Sequence, residues 1–348
     1  GRRSRIIKVL HHHRPDITLT GSFPLADPDW LSAADFVRKL PQALQVTDLV
    51  LTTLCKSRQY LQIDRLLKHW KGIGLFVVNP NFYHPFLQLS EAAEVHLEKL
   101  RAVRNALPYV EDRAIYDLAA RLIRPKSNLQ EECFMLTELY ARMGRQYFDH
   151  INRSAVERII IEGGIADGWV TMQLLGSFPK STVYGFDPDS ELFQKSYHRQ
   201  FLQESGRFHY SPLGLWEKRD RRPFAVGKAC SSYIAGEAVA AAQGNIDTIS
   251  IDEFVTCNNM LKVDFIKLDI EGSELSALRG AKHTISKHRP QLAVCLYHRL
   301  EHYYEIPSLL FECAPDYIFR IGHYSPFHVF SETVMYAIPR ELYNFHQF

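Results

Sequence analysis

An apolar run followed directly by a cluster of acids is the feature of this sequence that says most about its fold. The stretch "VDFIKLDIEGSELSALRGA" covers residues 263–281, and its first half is almost continuously apolar. Such a run predicts a strand of a parallel sheet that is covered on both faces. Asp269, Glu271 and Glu274 follow at its carboxyl end, just before a predicted helix. Because ligands bind at the carboxyl ends of strands in open α/β sheets, these acids are predicted to border a functional site.

The composition is that of an ordinary globular chain with about two domains. The 348 residues are 46% hydrophobic, and their net charge of +2 gives no overall attraction to polyanions. The basic run "EKRDRR" at 217–222 contains two acids and is predicted to be a solvated loop. The six cysteines include no CxxC pair, so neither a disulfide nor a zinc site is expected. No apolar run approaches the length of about 20 residues of a membrane span, which favours a cytoplasmic protein.

Three segments are predicted along the chain. Residues 1–85 form a partial α/β, Rossmann-like unit, in which a helix near "DWLSAADFVRKL" precedes the strand "DLVLTTL", the helix "RQYLQIDRLLKHWKG" and the strand "IGLFVVNP". This unit is expected to begin upstream of Gly1. Residues 86–150 hold three helical patterns broken at Pro108 and Pro125 and are predicted to be a helical connector. Residues 151–348 form the second domain, with one mostly parallel sheet and an antiparallel edge strand at "TVMYAIP".

The second domain opens with a pattern typical of nucleoside-cofactor binding. "VERIIIEGGIADGWVTMQLL" predicts a strand, a glycine turn and a helix, and the next strand, "TVYGF", runs into Asp187. Glycines allow the backbone to approach a ligand, and the acid accepts hydrogen bonds from ribose hydroxyls. The predicted cofactor-binding residues are Glu162, Gly163, Gly164, Gly168, Phe186, Asp187 and Asp269.

The acids of the glycine turn favour one class of cofactor. A dinucleotide requires G-x-G-x-x-G and a pyrophosphate at the helix N-terminus, whereas this turn carries Glu162 and Asp167 and would repel a pyrophosphate. These carboxylates would instead attract a cofactor that carries an ammonium and a sulfonium and has no phosphate. This predicts S-adenosylmethionine. The alternative is that the acids only interact with helix N-termini, where acids are favoured in any case.

These motifs resemble those of the FkbM-type S-adenosylmethionine-dependent methyltransferases. "IEGGIADG", "VYGFDPDSELF", "SIDEFV" and "VDFIKLDIEGSELSALRGA" occur in the family's order, and "RPQLAVCLYHRLEHYYEIPSLL" and "DYIFRIGHYSPFHVFSETVMYAIP" are similar to the tail of its two-domain bacterial members. The resemblance implies a class I methyltransferase fold, an amino-terminal α/β unit and a hydroxyl acceptor, often on a sugar. Glu162 stands where the family usually has Asp, Asp187 where it usually has Glu, and Cys295 where many shorter members carry a carboxylate.

Methyl transfer to oxygen requires a collinear donor and acceptor and a base within reach of the hydroxyl proton. The predicted catalytic residues are Asp269, Glu271, His298 and His323, all at or just beyond predicted strand ends. An imidazole titrates near neutrality and an exposed carboxylate does not, which favours His298 or His323 as the base. A purely structural role for either histidine is the alternative. Glu274 is expected to interact with a helix dipole, and Lys267 to pair with an acid inside the domain.

Other functions are less well supported by these residues. His298 and His302 have the spacing of a metal pair, but no third ligand is apparent, so no metal is predicted. A nicotinamide-dependent sugar oxidoreductase or epimerase would need the motif G-x-G-x-x-G, which this sequence does not show. A catalytically silent cofactor-binding module is disfavoured because Asp269 and Glu271 are intact. The sequence has no basic stripe of the kind that would predict nucleic-acid binding. The expected partner is a small-molecule or glycan acceptor, and a homo-oligomer formed through the amino-terminal unit is one option.

Overall fold

The computed structural model describes residues 49–51, 75–77, 93–123, 135, 139–140, 143–154, 157–189, 191–225, 233–234, 244–325 and 330–343. The chain divides into two compact units. The first comprises residues 1–104, 113–142 and 323–331, and the second comprises residues 105–112, 143–322 and 332–348. The domain limits expected at 85 and 150 stay predictions.

The first unit contains a pair of short parallel strands. β1 (Leu49–Leu51) pairs with β2 (Leu75–Val77) in a two-stranded sheet. They lie in "DLVLTTL" and "IGLFVVNP", so the prediction of a strand at both places is confirmed. The helices predicted at "DWLSAADFVRKL" and "RQYLQIDRLLKHWKG" fall outside the described residues.

Two of the three predicted connector helices are described in full. α1 (Ala93–Ala106) and α2 (Val110–Ile123) flank Pro108, which ends the first helical pattern as predicted. Leu97, Leu100 and Val103 are buried at a spacing of three residues, the pattern of an apolar helix stripe. The third pattern is described only at residues 135, 139 and 140, which are helical.

The second unit is built on two sheets. Its strands are β3 (Ile159–Gly163), β4 (Thr182–Phe186), β5 (Phe208–Ser211), β6 (Gly214–Leu215), β7 (Asp220–Ala225), β8 (Tyr233–Ile234), β9 (Gly244–Ile249), β10 (Phe265–Leu268), β11 (Gln291–Cys295), β12 (Tyr317–His323) and β13 (Thr333–Pro339). The larger sheet has seven strands in the order β12-β13-β11-β10-β3-β4-β5. The pairs β11–β10, β10–β3, β3–β4 and β4–β5 are parallel, which confirms the predicted mostly parallel α/β sheet.

The antiparallel strand of this sheet is present but does not lie at its edge. β13, which contains "TVMYAIP", runs antiparallel to β11 and has β12 on its other side. All seven of its residues are buried, as expected for an interior strand. The prediction of an antiparallel strand was right, and its placement at the edge was wrong because β12 adds outside it.

The smaller sheet was not predicted from the sequence. It has four strands in the order β6-β9-β7-β8, and β7 begins inside the basic run "EKRDRR". The prediction of a loop was therefore wrong for residues 220–222, although Arg221 remains exposed as a solvated residue would be. Arg222 lies with its guanidinium carbon 4.4 Å from the ring centroid of Trp216, so its charge is partly covered.

The helices of the second unit follow the strands. They are α3 (Trp169–Ser177), α4 (Glu191–Lys195), α5 (His198–Glu204), α6 (Ile251–Cys257), α7 (Glu274–Arg279), α8 (Lys282–His288) and α9 (His302–Cys313). α6 begins at the "SIDEFV" motif, where the hydroxyl of Ser250 accepts a hydrogen bond from the backbone N–H of Glu253. This side chain caps an otherwise unpaired amide at the helix start.

The strand register brings three chain segments to one edge of the larger sheet. Gly163 at the end of β3 lies opposite Phe186 in β4 and opposite Leu268 in β10. The residues that follow these positions are Gly164, Asp187 and Asp269. Because the three strands are parallel, the glycine turn and both acids leave the sheet at its carboxyl edge, where the sequence predicted the site.

Candidate active site

The glycine turn between β3 and α3 packs tightly against the end of β10. Gly164 has a φ of +77°, and a Cβ on it would lie 1.8 Å from the backbone oxygen of Asp269. Its N–H donates to the backbone oxygen of Phe186 at 2.9 Å. Only glycine fits this left-handed conformation at such a close approach. The turn is therefore fixed to both neighbouring strands.

Asp187 organises the glycine turn through its carboxylate. One oxygen accepts hydrogen bonds from the N–H groups of Ile165 and Ala166, both at 3.0 Å, and the other accepts from the N–H of Asp189 at 2.9 Å. Burial raises the pKa of this carboxyl, and the backbone hydrogen bonds oppose the rise. Asp187 thus connects β4 to the turn and also lines the adjoining cavity.

Glu162 lies behind the turn rather than in the cavity lining. It is fully buried, accepts a hydrogen bond from the Thr171 hydroxyl at 2.7 Å, and lies 3.8 Å from the ammonium of Lys267. Lys267 donates in turn to the backbone oxygens of Gly163 at 3.2 Å and Gly164 at 2.6 Å. The expectation that Lys267 pairs with an acid inside the domain is confirmed, and this pair supports the turn from below.

A cavity lies over the turn at the carboxyl edge. Of the residues predicted from the sequence, those in its lining are Gly164, Phe186, Asp187, Asp269 and Glu271. Glu162, Gly163, Gly168 and His298 are placed around it but are not in the lining. The lining also includes residues that were not predicted, among them Trp169, Leu215 and Phe224. Trp169 directly follows the glycine turn, which was an available signal, whereas the other two come from the unpredicted smaller sheet.

Asp269 is held by two tyrosines. The hydroxyl of Tyr147 donates to one carboxylate oxygen at 2.6 Å, and the hydroxyl of Tyr297 donates to the other at 2.9 Å. Burial disfavours the charged form, but Lys267, His298 and the Tyr147 hydrogen bond together lower the pKa of Asp269. Asp269 is therefore an oriented carboxylate anion at the wall of the cavity.

Glu274, the first residue of α7, is a buried anion at the centre of a turn. Its carboxylate accepts from the N–H of Ile270 at 2.8 Å and from the N–H of Gly272 at 3.1 Å. The imidazole nitrogens of His298 and His302 lie 2.7 and 3.2 Å from its oxygens. Burial opposes its charge, yet these histidines hold the pKa of Glu274 well below its usual range. Beyond the helix-dipole role predicted for it, Glu274 thus fixes the Ile270–Gly272 turn.

His298 is surrounded by carboxylates. Besides Glu274, its Nε2 lies 3.5 Å from Asp269 and 3.5 Å from Glu271. Burial alone would lower the pKa of His298, but the contacts with Glu274, Asp269 and Glu271 raise it to about 9. An imidazolium has no lone pair to accept a proton, so this raised pKa argues against His298 as the base, and its catalytic role stays a prediction.

Glu271 has the opposite shift. Burial, with smaller contributions from Asp269 and Glu274, raises the pKa of Glu271 to about 7, and His298 partly counteracts this. Its side chain is 32% exposed, and its backbone φ is +51°, a left-handed conformation that non-glycine residues rarely adopt. A strained residue with a perturbed carboxyl in a cavity wall is typical of functional sites.

His323 is the last residue of β12 and belongs to the first unit, where it is buried. It therefore lies at a strand end, as the sequence indicated. Its convergence with Asp269 and Glu271 stays a prediction.

The cluster of Asp269, Glu274 and His298 is better explained as a set of ion pairs than as a metal site. Asp269, Glu274 and His298 offer ligand atoms that lie within 4.8 Å of one another. However, the oxygens of Glu274 already accept two backbone hydrogen bonds and contact two imidazoles, and the oxygens of Asp269 accept two tyrosine hydroxyls. A ligand set with its lone pairs committed in this way favours a salt-bridge cluster over a metal centre.

The mixed α/β fold, with its mostly parallel central sheet, is like that of class I methyltransferases. Residues 164–319 match the family model described as the methyltransferase FkbM domain, which supports a methyltransferase. The crystal structure of methyltransferase FkbM from Methylobacillus flagellatus KT aligns with a TM-score of 0.59 and 20% identity, over 83% of this chain and 73% of that one. That likeness supports the fold.

Two further solved structures align more weakly. A putative caffeoyl-CoA O-methyltransferase from Staphylococcus aureus has a TM-score of 0.34 and 14% identity, over 82% of this chain and 100% of that one. Aeropyrum pernix fibrillarin with bound S-adenosyl-L-methionine has a TM-score of 0.33 and 11% identity, over 59% of this chain and 74% of that one. No curated protein matches the chain.

Among the helices of the described ranges, none is both long enough and apolar enough to cross a bilayer.

Proposed function

We propose that this methyltransferase uses S-adenosylmethionine to methylate a hydroxyl group of a saccharide or similar polyol. The observation that carries the proposal is the charge of the cavity wall beside the glycine turn. Its carboxylates are Asp167, Asp187, Asp189, Asp269 and Glu271. A pyrophosphate would be repelled by this wall, whereas a ligand with an ammonium and a sulfonium is attracted to it. The acidic wall therefore favours S-adenosylmethionine over a nicotinamide dinucleotide.

The cofactor is proposed to lie over the turn between Glu162 and Gly168, with its ribose hydroxyls on Asp187. Gly164 lines the cavity without a side chain, which allows a close approach to its backbone, and Phe186 precedes the acid in the lining. Asp269 and Glu271 border the methyl-donor end. Glu162 and Gly163 act from behind by holding the turn through Lys267. S-adenosylmethionine supplies an electrophilic methyl group on a sulfonium.

Replacing Asp187 with alanine should weaken S-adenosylhomocysteine binding by about 1.5–3 kcal/mol, the range for hydrogen bonds to a charged group. The variant loses both the ribose acceptor and the two bonds to the N–H groups of Ile165 and Ala166. Isothermal titration calorimetry measures the change, and Asp220→Ala is the control, because Asp220 lies at the half-exposed start of β7 and outside the cavity lining. Unchanged affinity in a folded Asp187 variant would contradict the assignment.

Asp269, Glu271 and His298 have separate proposed roles at the methyl-donor end of the cavity. Asp269 stays anionic and oriented and faces the cationic donor. Glu271 is the proposed base, because a carboxyl with a pKa of about 7 is half deprotonated near neutrality and can accept the acceptor's hydroxyl proton. The positive charge of His298, held by Glu274, then stabilises the Glu271 carboxylate before it takes the proton.

The saccharide acceptor is inferred from the family resemblance together with this site. An oxygen nucleophile needs its proton removed, and Glu271 in the wall offers that chemistry. A sugar oxidoreductase would need a dinucleotide in the same acidic cavity. A catalytically silent module would have no use for a strained, half-buried carboxyl at this position. The cytoplasmic location and the homo-oligomer stay predictions.

A labelled-transfer assay tests the reaction class. The chain is incubated with methyl-labelled S-adenosylmethionine and matched acceptors that carry a hydroxyl or an amine at the same sugar position, and products are identified by mass spectrometry. A methyl ether on the hydroxy sugar is expected. Methylation confined to the amino sugars would contradict O-methylation while leaving the use of S-adenosylmethionine intact.

A further inference from the structure

A tyrosine that precedes the first strand of the large sheet reaches the end of β10. Tyr147 lies 122 positions before Asp269 in the chain, and its hydroxyl donates to the Asp269 carboxylate at 2.6 Å. The ring also faces Lys267, whose ammonium lies 5.1 Å from the ring centroid. Tyr147 therefore contacts both charged side chains at the end of this strand, although it is not in the cavity lining.

Tyr147 has a left-handed backbone conformation, which non-glycine residues rarely adopt. Its φ is +69°, which costs a non-glycine residue of the order of 1–3 kcal/mol. Its N–H donates to the hydroxyl of Tyr336 at 2.8 Å, and its own hydroxyl also accepts from the Gln146 side chain at 3.2 Å. The Gln146 amide donates at the same time to Glu332 at 2.8 Å. These contacts fix where the Tyr147 hydroxyl points.

The two tyrosines together remove the rotational freedom of Asp269. Tyr147 donates to one oxygen and Tyr297 to the other, so the carboxylate plane is set from both sides. A hydroxyl that donates to a carboxylate at 2.6 Å is a short, charge-assisted bond and stabilises the anion. Burial raises the pKa of Tyr147 well above its usual value, so the hydroxyl stays a donor.

We infer that Tyr147 is a positioning residue for methyl transfer, which holds the Asp269 carboxylate toward the sulfonium of the methyl donor. The inference rests on the proposed function, because it requires S-adenosylmethionine in the cavity. An anion oriented in advance interacts with the cation without a reorganisation cost. S-adenosylhomocysteine carries a neutral thioether at that place and gains much less from the same carboxylate.

The ratio of two affinities tests this inference. S-adenosylmethionine and S-adenosylhomocysteine are titrated calorimetrically into the full chain and into Tyr147→Phe, which keeps the ring and removes the hydroxyl. We expect binding of S-adenosylmethionine to weaken about tenfold and binding of S-adenosylhomocysteine to change by less than about twofold. A purely structural role would weaken both equally, so an unchanged ratio would overturn the inference while the proposed function stands.

Two further variants complete the experiment. Tyr303→Phe also removes a buried hydroxyl, one that donates to Thr333 at 3.0 Å, and should leave both affinities within about twofold. If Tyr147→Phe does not fold, Tyr297→Phe removes the bond to the other Asp269 oxygen and should shift the ratio in the same direction. An unshifted ratio in that variant would equally overturn the inference. Wild-type protein that binds neither molecule would overturn the proposed function as well.

Discussion

Replacing Glu271 with glutamine should lower the rate of methyl transfer by about 10²- to 10⁴-fold, the usual contribution of a general base. Glutamine has nearly the same shape but cannot accept the hydroxyl proton. S-adenosylhomocysteine affinity should stay nearly the same, because the cavity loses a base and keeps its volume. Turnover is measured with the acceptor identified by labelled transfer, and the loss is expected in kcat rather than in KM.

The pH dependence of the same reaction follows from the pKa of Glu271. The base works only when it is deprotonated, so kcat/KM of the wild type should fall as pH drops through about 7. That acid limb should disappear in Glu271→Gln. Glu253→Gln, an equivalent change at a half-buried position on α6 outside the cavity lining, should keep both the rate and the limb. An unaltered limb in Glu271→Gln would mean that another group takes the proton.

Replacing Glu274 with glutamine should destabilise the sheet around β10 by about 3–5 kcal/mol, the cost of removing one partner from a buried ion pair. The variant leaves the buried imidazole of His298 without its nearest counter-charge and weakens the clamp on the Ile270–Gly272 turn. Hydrogen exchange of the β10 and β11 amides measures the local free energy of opening. Glu253→Gln, whose partner Arg219 is exposed, should cost at most about 1 kcal/mol. Equal costs for the two variants would contradict the role assigned to Glu274.

The same ion pair predicts how stability depends on pH. The folded pKa of His298 is about 9, above the ordinary value of 6.5, so its contribution is complete below about pH 6.5 and is lost as pH rises through 9. The depressed pKa of Glu274 gives a contribution that is complete above its ordinary value of 4.5 and is lost at lower pH. In Glu274→Gln the loss of stability between pH 6.5 and 9 should shrink.

The position of the site was predictable because local patterns determine it. The apolar run before Asp269 is buried on both faces in β10, and the parallel register places its end beside Gly164 and Asp187. The sequence patterns at Gly164, Asp187 and Asp269 can each be recognised from the few residues around that position. Parallel strand order then follows from the alternation of strands and helices.

The chemistry of the site was less predictable because it depends on distant contacts. Tyr147 was assigned to the helical connector, and its bond to Asp269 spans 122 positions. The pKa values of Glu271 and His298 depend on burial and on three mutual distances that no spacing reveals. The smaller sheet was missed because β6 and β8 have only two residues each, too few to show an alternating pattern.

A direct comparison of two ligands tests whether the acidic cavity binds S-adenosylmethionine. S-adenosylhomocysteine and NAD are titrated separately into the full chain by isothermal calorimetry under the same conditions. We expect saturable binding of S-adenosylhomocysteine, weakened in Asp187→Ala, and no binding of NAD, whose pyrophosphate would face Asp167, Asp187 and Asp189. Saturable binding of NAD without binding of S-adenosylhomocysteine would show that the cavity does not bind S-adenosylmethionine.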